Sequence, residues 1–82
     1  MPNRNKILPV VYADFNNADT QGRLRLNCQG TIEDLERQRI HLQQNLQLML
    51  QMENLQCAGT VVFSDNEGIW VAAIDWPAIK EL

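Results

Sequence analysis

The chain has 82 residues and a mass of 9.4 kDa, the size of one small domain, and we expect residues 1–82 to fold as a single unit with residues 1–5 flexible. Seven basic and ten acidic side chains give a formal net charge of −3, and hydrophobic residues make up 45% of the chain. These values exclude a wholly disordered chain, which would be less apolar, and a general polyanion binder, which would be basic. The two cysteines are too few for a disulfide-dense scaffold.

The first two predicted elements are strands. Residues 6–15 (KILPVVYADF) are rich in Val, Ile and aromatic residues, and Pro9 removes one backbone donor, so this strand is expected at an edge or with a bend. A cluster of turn-forming residues follows over 16–22 (NNADTQG). Residues 23–28 then alternate between polar and apolar, which is typical of a half-buried strand. The two strands are predicted to form a hairpin with a long loop.

A helix is predicted to begin at Gly30–Thr31. Thr31 and Asp34, three residues later, approximate a capping box, in which the first side chain caps the start of the helix. Acidic residues occupy the first turns and basic residues follow by Arg39, which complements the helix dipole. Because this charge gradient is complete by Arg39, we expect a short helix that ends there.

Residues 40–55 are ambiguous between helix and strand. They contain neither Gly nor Pro, and helix propensity alone would continue the helix to Asn54. Every second residue from Leu46 to Met52 is apolar, however, and this period of two indicates a strand. A helix here would be apolar on nearly all sides, and a chain this small cannot bury such a helix. We therefore predict a turn at 43–45 and a strand over 46–52.

The last third of the chain predicts a second pair of strands. Residues 57–64 and 69–75 are joined by the polar loop Ser64–Gly68, which is a strong hairpin signal. Both strands carry apolar residues on both faces, so they are expected to be central and covered on each side, with a bulge at Gly59. Trp76–Pro77 is predicted to end the second strand and to begin a short helical turn.

These elements predict a mainly β domain. Five short strands with one short helix inserted after the second strand most resemble a small SH3-like barrel. The alternative is an α+β fold, in which one long helix packs on a four-stranded antiparallel sheet. The choice depends on whether the segment 46–52 is extended.

Residues suited to catalysis are scarce. His41 is the single histidine, Ser64 is the single serine, and Cys28 and Cys57 lie far apart in the sequence. A zinc site needs about three or four protein ligands, and a phosphate-binding loop needs clustered glycines, which are absent. We therefore predict no catalytic residues, no bound metal and no cofactor, and a metal-dependent or other enzyme is the least favoured hypothesis.

An uncharged segment suggests contacts with proteins. Residues 40–52 contain no Asp, Glu, Lys or Arg, whereas exposed edge strands are normally protected by charged residues or proline. At a sheet edge this segment would pair with a strand of another chain; the alternative is that it is already paired internally. The leading hypothesis is a non-catalytic binding or accessory domain that contacts a protein partner or itself. The residues predicted to bind the partner are Gln47, Met49, Gln51 and Trp76.

The second hypothesis is a small nucleic-acid-binding module. Arg23 and Arg25 share one face of a predicted strand, and Arg37 and Arg39 lie close by in sequence. The acidic net charge disfavours this hypothesis, because phosphate binding usually requires a basic field over the domain.

The sequence predicts a cytoplasmic protein without membrane contact. No apolar signal-peptide core follows the polar residues at the start of the chain. The longest uncharged run is also shorter than the roughly 20 apolar residues that a membrane-spanning helix needs.

Overall fold

Six strands form one mixed sheet and a single helix contacts its first strand, in a computed structural model that describes residues 7–82. The elements in chain order are β1 (Val10–Tyr12), β2 (Leu24–Arg25), α1 (Gln29–Gln38), β3 (Gln47–Met52), β4 (Leu55–Ser64), β5 (Ile69–Ile74), a single 3₁₀ turn (Trp76–Ala78) and β6 (Lys80–Glu81). The strand order is β1-β3-β4-β5-β2, and β6 pairs with the beginning of β4.

The mainly β prediction is confirmed, but the sheet is not closed into a barrel, so the SH3-like barrel is not confirmed. Its first and last strands, β1 and β2, are separate ends of the strand order. Within residues 7–82 no helix has the length and apolar character needed to cross a membrane. The expected flexibility of residues 1–5 lies outside the described part of the chain.

The segment 46–52 is extended, as its period of two predicts. It turns at Gln44–Asn45 and enters β3 at Gln47, and the alternative of one long helix is therefore wrong. Leu48 and Leu50 are fully buried on one side of the strand. Fully burying a leucine side chain contributes about 1.5–3 kcal/mol, and a one-residue slip would expose both leucines, so the apolar alternation fixes the register of β3.

The core lies on the side of the sheet that carries these two leucines. Its largest fully buried aliphatic side chains come from four strands: Val11, Leu24, Leu48, Leu50 and Val61. Leu35 of α1 joins the same cluster, and Trp70 packs against it. The Trp70 ring meets Phe63 edge to face, with the ring centroids 5.1 Å apart.

The predicted hairpin between the first two strands is wrong. β1 pairs in parallel with β3, and β2 pairs antiparallel with β5. Parallel strands require a crossover connection, and the chain between β1 and β3, which includes α1, provides it. Asp19 turns the intervening loop back on itself, since its Oδ1 accepts the backbone N–H groups of Gln21 and Arg23, each at 2.9 Å. Both strands are much shorter than predicted.

The capping box is also wrong, although the short helix itself is confirmed. α1 begins at Gln29, with Cys28 as the N-cap residue and no side-chain cap. Thr31 therefore lies within the first turn, and its hydroxyl donates to the carbonyl of Tyr12 at 2.7 Å. Asp34 accepts the backbone N–H of Tyr12, also at 2.7 Å. Both side chains that the local pattern assigned to the helix cap form hydrogen bonds with β1, which is distant in the sequence.

The hairpin of β4 and β5 is confirmed, with its turn between Ser64 and Ile69. No bulge occurs at Gly59, which pairs in register with both Leu48 and Ile74. The predicted helical turn at Trp76–Pro77 is present as the 3₁₀ turn. β6 was not predicted, because a pair of charged residues gives no strand period.

Candidate functional site

The sheet has a face that points away from the core, which we call the open face. From β3 it carries Gln47, Met49 and Gln51, and the register places Thr60, Ala58 and Gln56 of β4 beside them. Val62 of β4 and Ala73 of β5 continue it. We define the open face as Gln47, Met49, Gln51, Gln56, Ala58, Thr60, Val62 and Ala73; Ser64 and Val71 lie on the same side of the sheet but are buried. Each side chain of the open face is exposed or half-buried among the described residues.

The eight side chains of the open face are uncharged, but Lys80 of β6 lies beside Gln56, and Arg25 of β2 lies beside Val71, at the margins of this side of the sheet. β3, β4 and β5, of six, ten and six residues, contain no Asp, Glu, Lys or Arg. Half-buried Met49 and Val62 add apolar surface, and Val10, which is 45% exposed, lies beside Met49 in the register. Covering the three central strands alone would require no charged group to lose its hydration, which is the most costly part of burying polar surface.

The prediction that β4 and β5 are covered on both faces is confirmed for the core side only. On the core side Val61 and Ala72 are fully buried. On the other side Val71 is buried, but Ala58 and Ala73 are exposed. The described part of the chain therefore leaves this apolar sheet face only partly covered.

The predicted partner-binding residues divide into two places. Gln47, Met49 and Gln51 come together on the open face, as the alternation predicts. Trp76 lies elsewhere, in the 3₁₀ turn, where it is 41% exposed and its indole N–H donates to the carbonyl of Gly22 at 2.8 Å.

The edge-pairing interpretation of the segment 40–52 does not hold. β3 is hydrogen-bonded to β1 on one side and to β4 on the other, so it is interior to the sheet. Of the two alternatives considered for this segment, the structure shows internal pairing. Any contact through β3 must therefore use its face.

The edge of β1 is covered by side chains of α1. Gln38 donates to the carbonyl of Val10 at 2.8 Å, while Asp34 and Thr31 bind the N–H and the carbonyl of Tyr12. These three helix side chains therefore take the place of a neighbouring strand. Gly30 permits the close approach, because a Cβ atom there would lie 2.8 Å from Cδ2 of the Tyr12 ring.

The edge of β2 is covered by the loop that precedes it. The N–H of Arg25 donates to the carbonyl of Asn17 at 3.0 Å, and the N–H of Asp19 donates to the carbonyl of Arg23 at 2.8 Å. The guanidinium of Arg25 also forms a bidentate pair with Glu67, at 2.7 and 2.8 Å. Exposed strand edges are common sites of unwanted pairing, and both ends of this strand order are protected.

The four arginines proposed for nucleic-acid binding do not form one basic surface. Arg23 pairs with Asp19, Arg25 with Glu67 and Arg37 with Asp34. Arg39 forms no ion pair within residues 7–82. The first two arginines belong to the β2 end of the strand order, whereas Arg37 lies in α1 and Arg39 directly follows it, and α1 contacts β1 at the opposite end. The neutralising carboxylates work against phosphate binding at three of the four positions.

These ion pairs change the acidity of their carboxyl groups. Burial opposes ionisation of Asp19, but hydrogen bonds from Arg23 and Gln21 hold its pKa below the ordinary value. At Asp34 burial is likewise outweighed, by the N–H of Tyr12 and by Arg37, so the pKa is lowered. The hydrogen bonds from Arg25 lower the pKa of Glu67.

A second concave surface lies at the end of α1, and we call it the α1 groove. It encloses about 470 Å³ and is lined by Ile32, Leu35, Glu36, Arg39, Ile40 and His41. The volume falls within the range of about 300–1,000 Å³ that is usual for small-ligand sites. Exposed Ile32 and half-buried Ile40 give the groove an apolar floor, and the three ionisable side chains lie around it.

The residues with catalytic potential remain apart. Among residues 7–82 no group of three or more His, Cys, Asp or Glu side chains is placed to hold a metal ion. Both cysteines are free thiols, and burial raises the pKa of Cys57. The Sγ atom of Cys28 lies 3.0 Å from Oγ1 of Thr31, and His41 is exposed. The prediction of a non-catalytic domain stays a prediction.

Sequence reasoning missed part of both surfaces. The residues that β4 and β5 contribute to the open face were assigned to covered strands, although their lack of charge was visible in the sequence. Ile32 and Ile40 of the α1 groove gave no signal, because only the turn at Arg39 brings the two side chains to one concavity.

Comparison of the chain with protein-family models, with curated proteins and with solved structures gives no match.

Proposed function

We propose that this domain is non-catalytic and acts through protein contacts, associating with a second copy of itself through the open face. The proposal is supported by apolar residues on one face of the sheet that the described chain does not fully cover. β4 and β5 carry apolar residues on both faces, yet on one face the described chain leaves Ala58 and Ala73 exposed and Val62 half-buried. Two such faces packed together, about 10 Å apart as in a β-sandwich, would supply the missing cover.

The chemistry of the open face favours a partner with the same surface. In a two-fold dimer each patch meets its own copy, so any net charge on the patch would be repelled. The eight side chains of the open face are uncharged, and its glutamines and threonine each offer both donors and acceptors, which can pair with identical side chains.

The size of the open face sets the expected affinity. Six residues along a strand span ~20 Å, and the open face with the adjoining strand β1 spans ~15–20 Å across, which gives ~300–400 Å² for each copy. Standard stable interfaces bury about 800 Å² on each partner, so we expect a weak dimer that dissociates on dilution.

Analytical ultracentrifugation of Ala58→Lys tests the proposal. Ala58 is exposed near the middle of the open face, and lysine there would place two like charges in the interface. We expect the wild-type chain to change from monomer to dimer between low and high micromolar concentration, and the variant to remain monomeric with an unchanged circular dichroism spectrum.

The matched control is Thr20→Lys, which adds the same charge in an exposed loop away from the open face and should dimerise like the wild type. A wild-type chain that stays monomeric throughout, or an Ala58→Lys variant that dimerises normally, would contradict self-association through this face.

A further inference from the structure

The α1 groove combines an apolar floor with an unpaired cation. Ile32 is 41% exposed on the helix surface, whereas Leu35, one turn later, is 8% exposed. Ile40 completes the floor after the helix has ended. A branched side chain left this exposed gains free energy when another apolar group covers it.

Arg39 lies at the rim in a conformation that favours glycine. The N–H of Ile40 donates to the carbonyl of Leu35 at 2.9 Å, and the N–H of Arg39 donates to the carbonyl of Glu36 at 3.1 Å. These two hydrogen bonds form a Schellman motif. The φ angle of Arg39 is 57°. Glycine is the usual residue at this position because a Cβ atom makes the left-handed conformation unfavourable. The helix end therefore holds an arginine that its geometry does not require.

The charge of Arg39 has no partner within the described chain. Arg23, Arg25 and Arg37 each form an ion pair with a carboxylate, and Arg39 does not. Glu36, which also lines the α1 groove, forms no ion pair within residues 7–82 either. The groove thus offers a cation at the end where Arg39 and His41 lie, and a carboxylate one turn earlier.

We propose that the α1 groove binds a short segment of another protein that carries aliphatic side chains next to a carboxylate. The aliphatic side chains would cover Ile32, Leu35 and Ile40, and the carboxylate would pair with Arg39. Glu36 sets the orientation, because it repels a carboxylate placed at its own end. None of these residues belongs to the open face, so the inference does not depend on the proposed function.

If both proposals hold, each dimer presents two copies of the α1 groove. A target with two such segments would then be bound more tightly than one with a single segment, because the second binding event is intramolecular. The domain would act as an adaptor that brings two segments together.

Peptide titrations followed by ¹⁵N-¹H NMR test the proposal. The probes are three acetylated, amidated peptides, each with two leucines separated by two serines and followed by Asp, Asn or Lys. We expect the Asp peptide to shift the amide signals of Ile32, Ile40 and His41, and to bind about threefold more tightly than the Asn peptide, the size expected of a partly exposed ion pair. The Lys peptide should bind weakest.

The variant Arg39→Gly separates binding from folding. It should abolish the preference for Asp over Asn while raising the melting temperature, because glycine relieves the unfavourable φ angle. Arg39→Lys should retain the preference. An Asp preference that survives in Arg39→Gly, or groove amides that no peptide shifts at millimolar concentration, would overturn the proposal.

A second copy of the chain is the competing occupant of the α1 groove. The titrations are therefore made in the Ala58→Lys background, at low protein concentration. If the groove amide signals of this variant shift with protein concentration alone, the occupant is another copy and the proposal is wrong. If only the ultracentrifugation result fails, self-association is contradicted and the groove proposal still stands on its own titration.

Discussion

Gly59 is a residue at which the fold has no room for a side chain. A Cβ atom there would lie 2.8 Å from Cδ1 of Leu50 and 3.1 Å from Cγ2 of Ile74. Gly59 is therefore required for close packing of the core and not for backbone freedom. An isolated glycine in a strand indicates a bulge or a close approach, and the sequence alone does not distinguish these alternatives.

Gly59→Ala should lower the free energy of unfolding by about 1–3 kcal/mol, the usual cost of one extra methyl group in a well-packed core. Urea denaturation measures this loss. Gly68→Asn is the control, because nothing lies within 4 Å of a Cβ atom there and asparagine tolerates its φ of 70°. Equal stabilities for Gly59→Ala and the wild type would show that Leu50 and Ile74 can move aside.

At the scale of elements, α1 and β1 depend on each other. β1 is a three-residue strand, and α1 buries only Thr31 and Leu35. Neither element buries much apolar surface that would stabilise its position in the fold. The hydrogen bonds from Thr31, Asp34 and Gln38 to the outer edge of β1 join the two and close the sheet at the same time.

Asp34→Ala should expose this edge, because it leaves the N–H of Tyr12 without its acceptor. A partly buried donor left unsatisfied costs about 1–3 kcal/mol. We expect the Tyr12 amide to exchange its hydrogen markedly faster in the variant, as measured by NMR. Glu33→Ala is the control on the same helix, since the exposed Glu33 bonds only to Gln29. Unchanged protection of Tyr12 would mean that α1 is not what closes the edge.

At the scale of the whole molecule, charge is kept away from the three central strands and is used to tie down the periphery. Asp19 holds the loop before β2, Asp34 holds α1 to β1, and Glu67 joins the β4–β5 turn to Arg25. Each of these carboxyl groups has a pKa below its ordinary value. Ionisation of carboxylates therefore stabilises the ends of the sheet together.

This arrangement predicts a loss of stability in acid. A lowered pKa in the folded state means that the unfolded chain takes up protons first as the pH falls. The contribution of the three carboxylates is therefore complete above about pH 5 and is lost as the pH falls through about 4 and below, where free Asp and Glu titrate. Urea midpoints measured from neutral to acidic pH should fall accordingly, and Asp19→Asn should flatten the curve. A midpoint independent of pH over this range would contradict the assignment.

The sequence by itself determined the elements that depend on local pattern. The period of two in 46–52 identified β3 and the face that it buries, since a slip would expose two leucines. Polar turn residues located the β4–β5 hairpin, and the absence of charge on β3 identified Gln47, Met49 and Gln51 as one uncharged row.

Only the tertiary structure decided which elements meet. The crossover of α1 placed β3 beside β1, so β3 became interior and its proposed edge contact was lost. Thr31 and Asp34 form hydrogen bonds with Tyr12 and not the predicted cap. Three arginines are neutralised by carboxylates, one of them forty-two positions away. A sequence pattern specifies how a segment buries its own side chains, because that depends on neighbours a few residues apart. Pairings between distant segments depend on how the whole chain folds around its core, and a local sequence pattern carries no information about that arrangement.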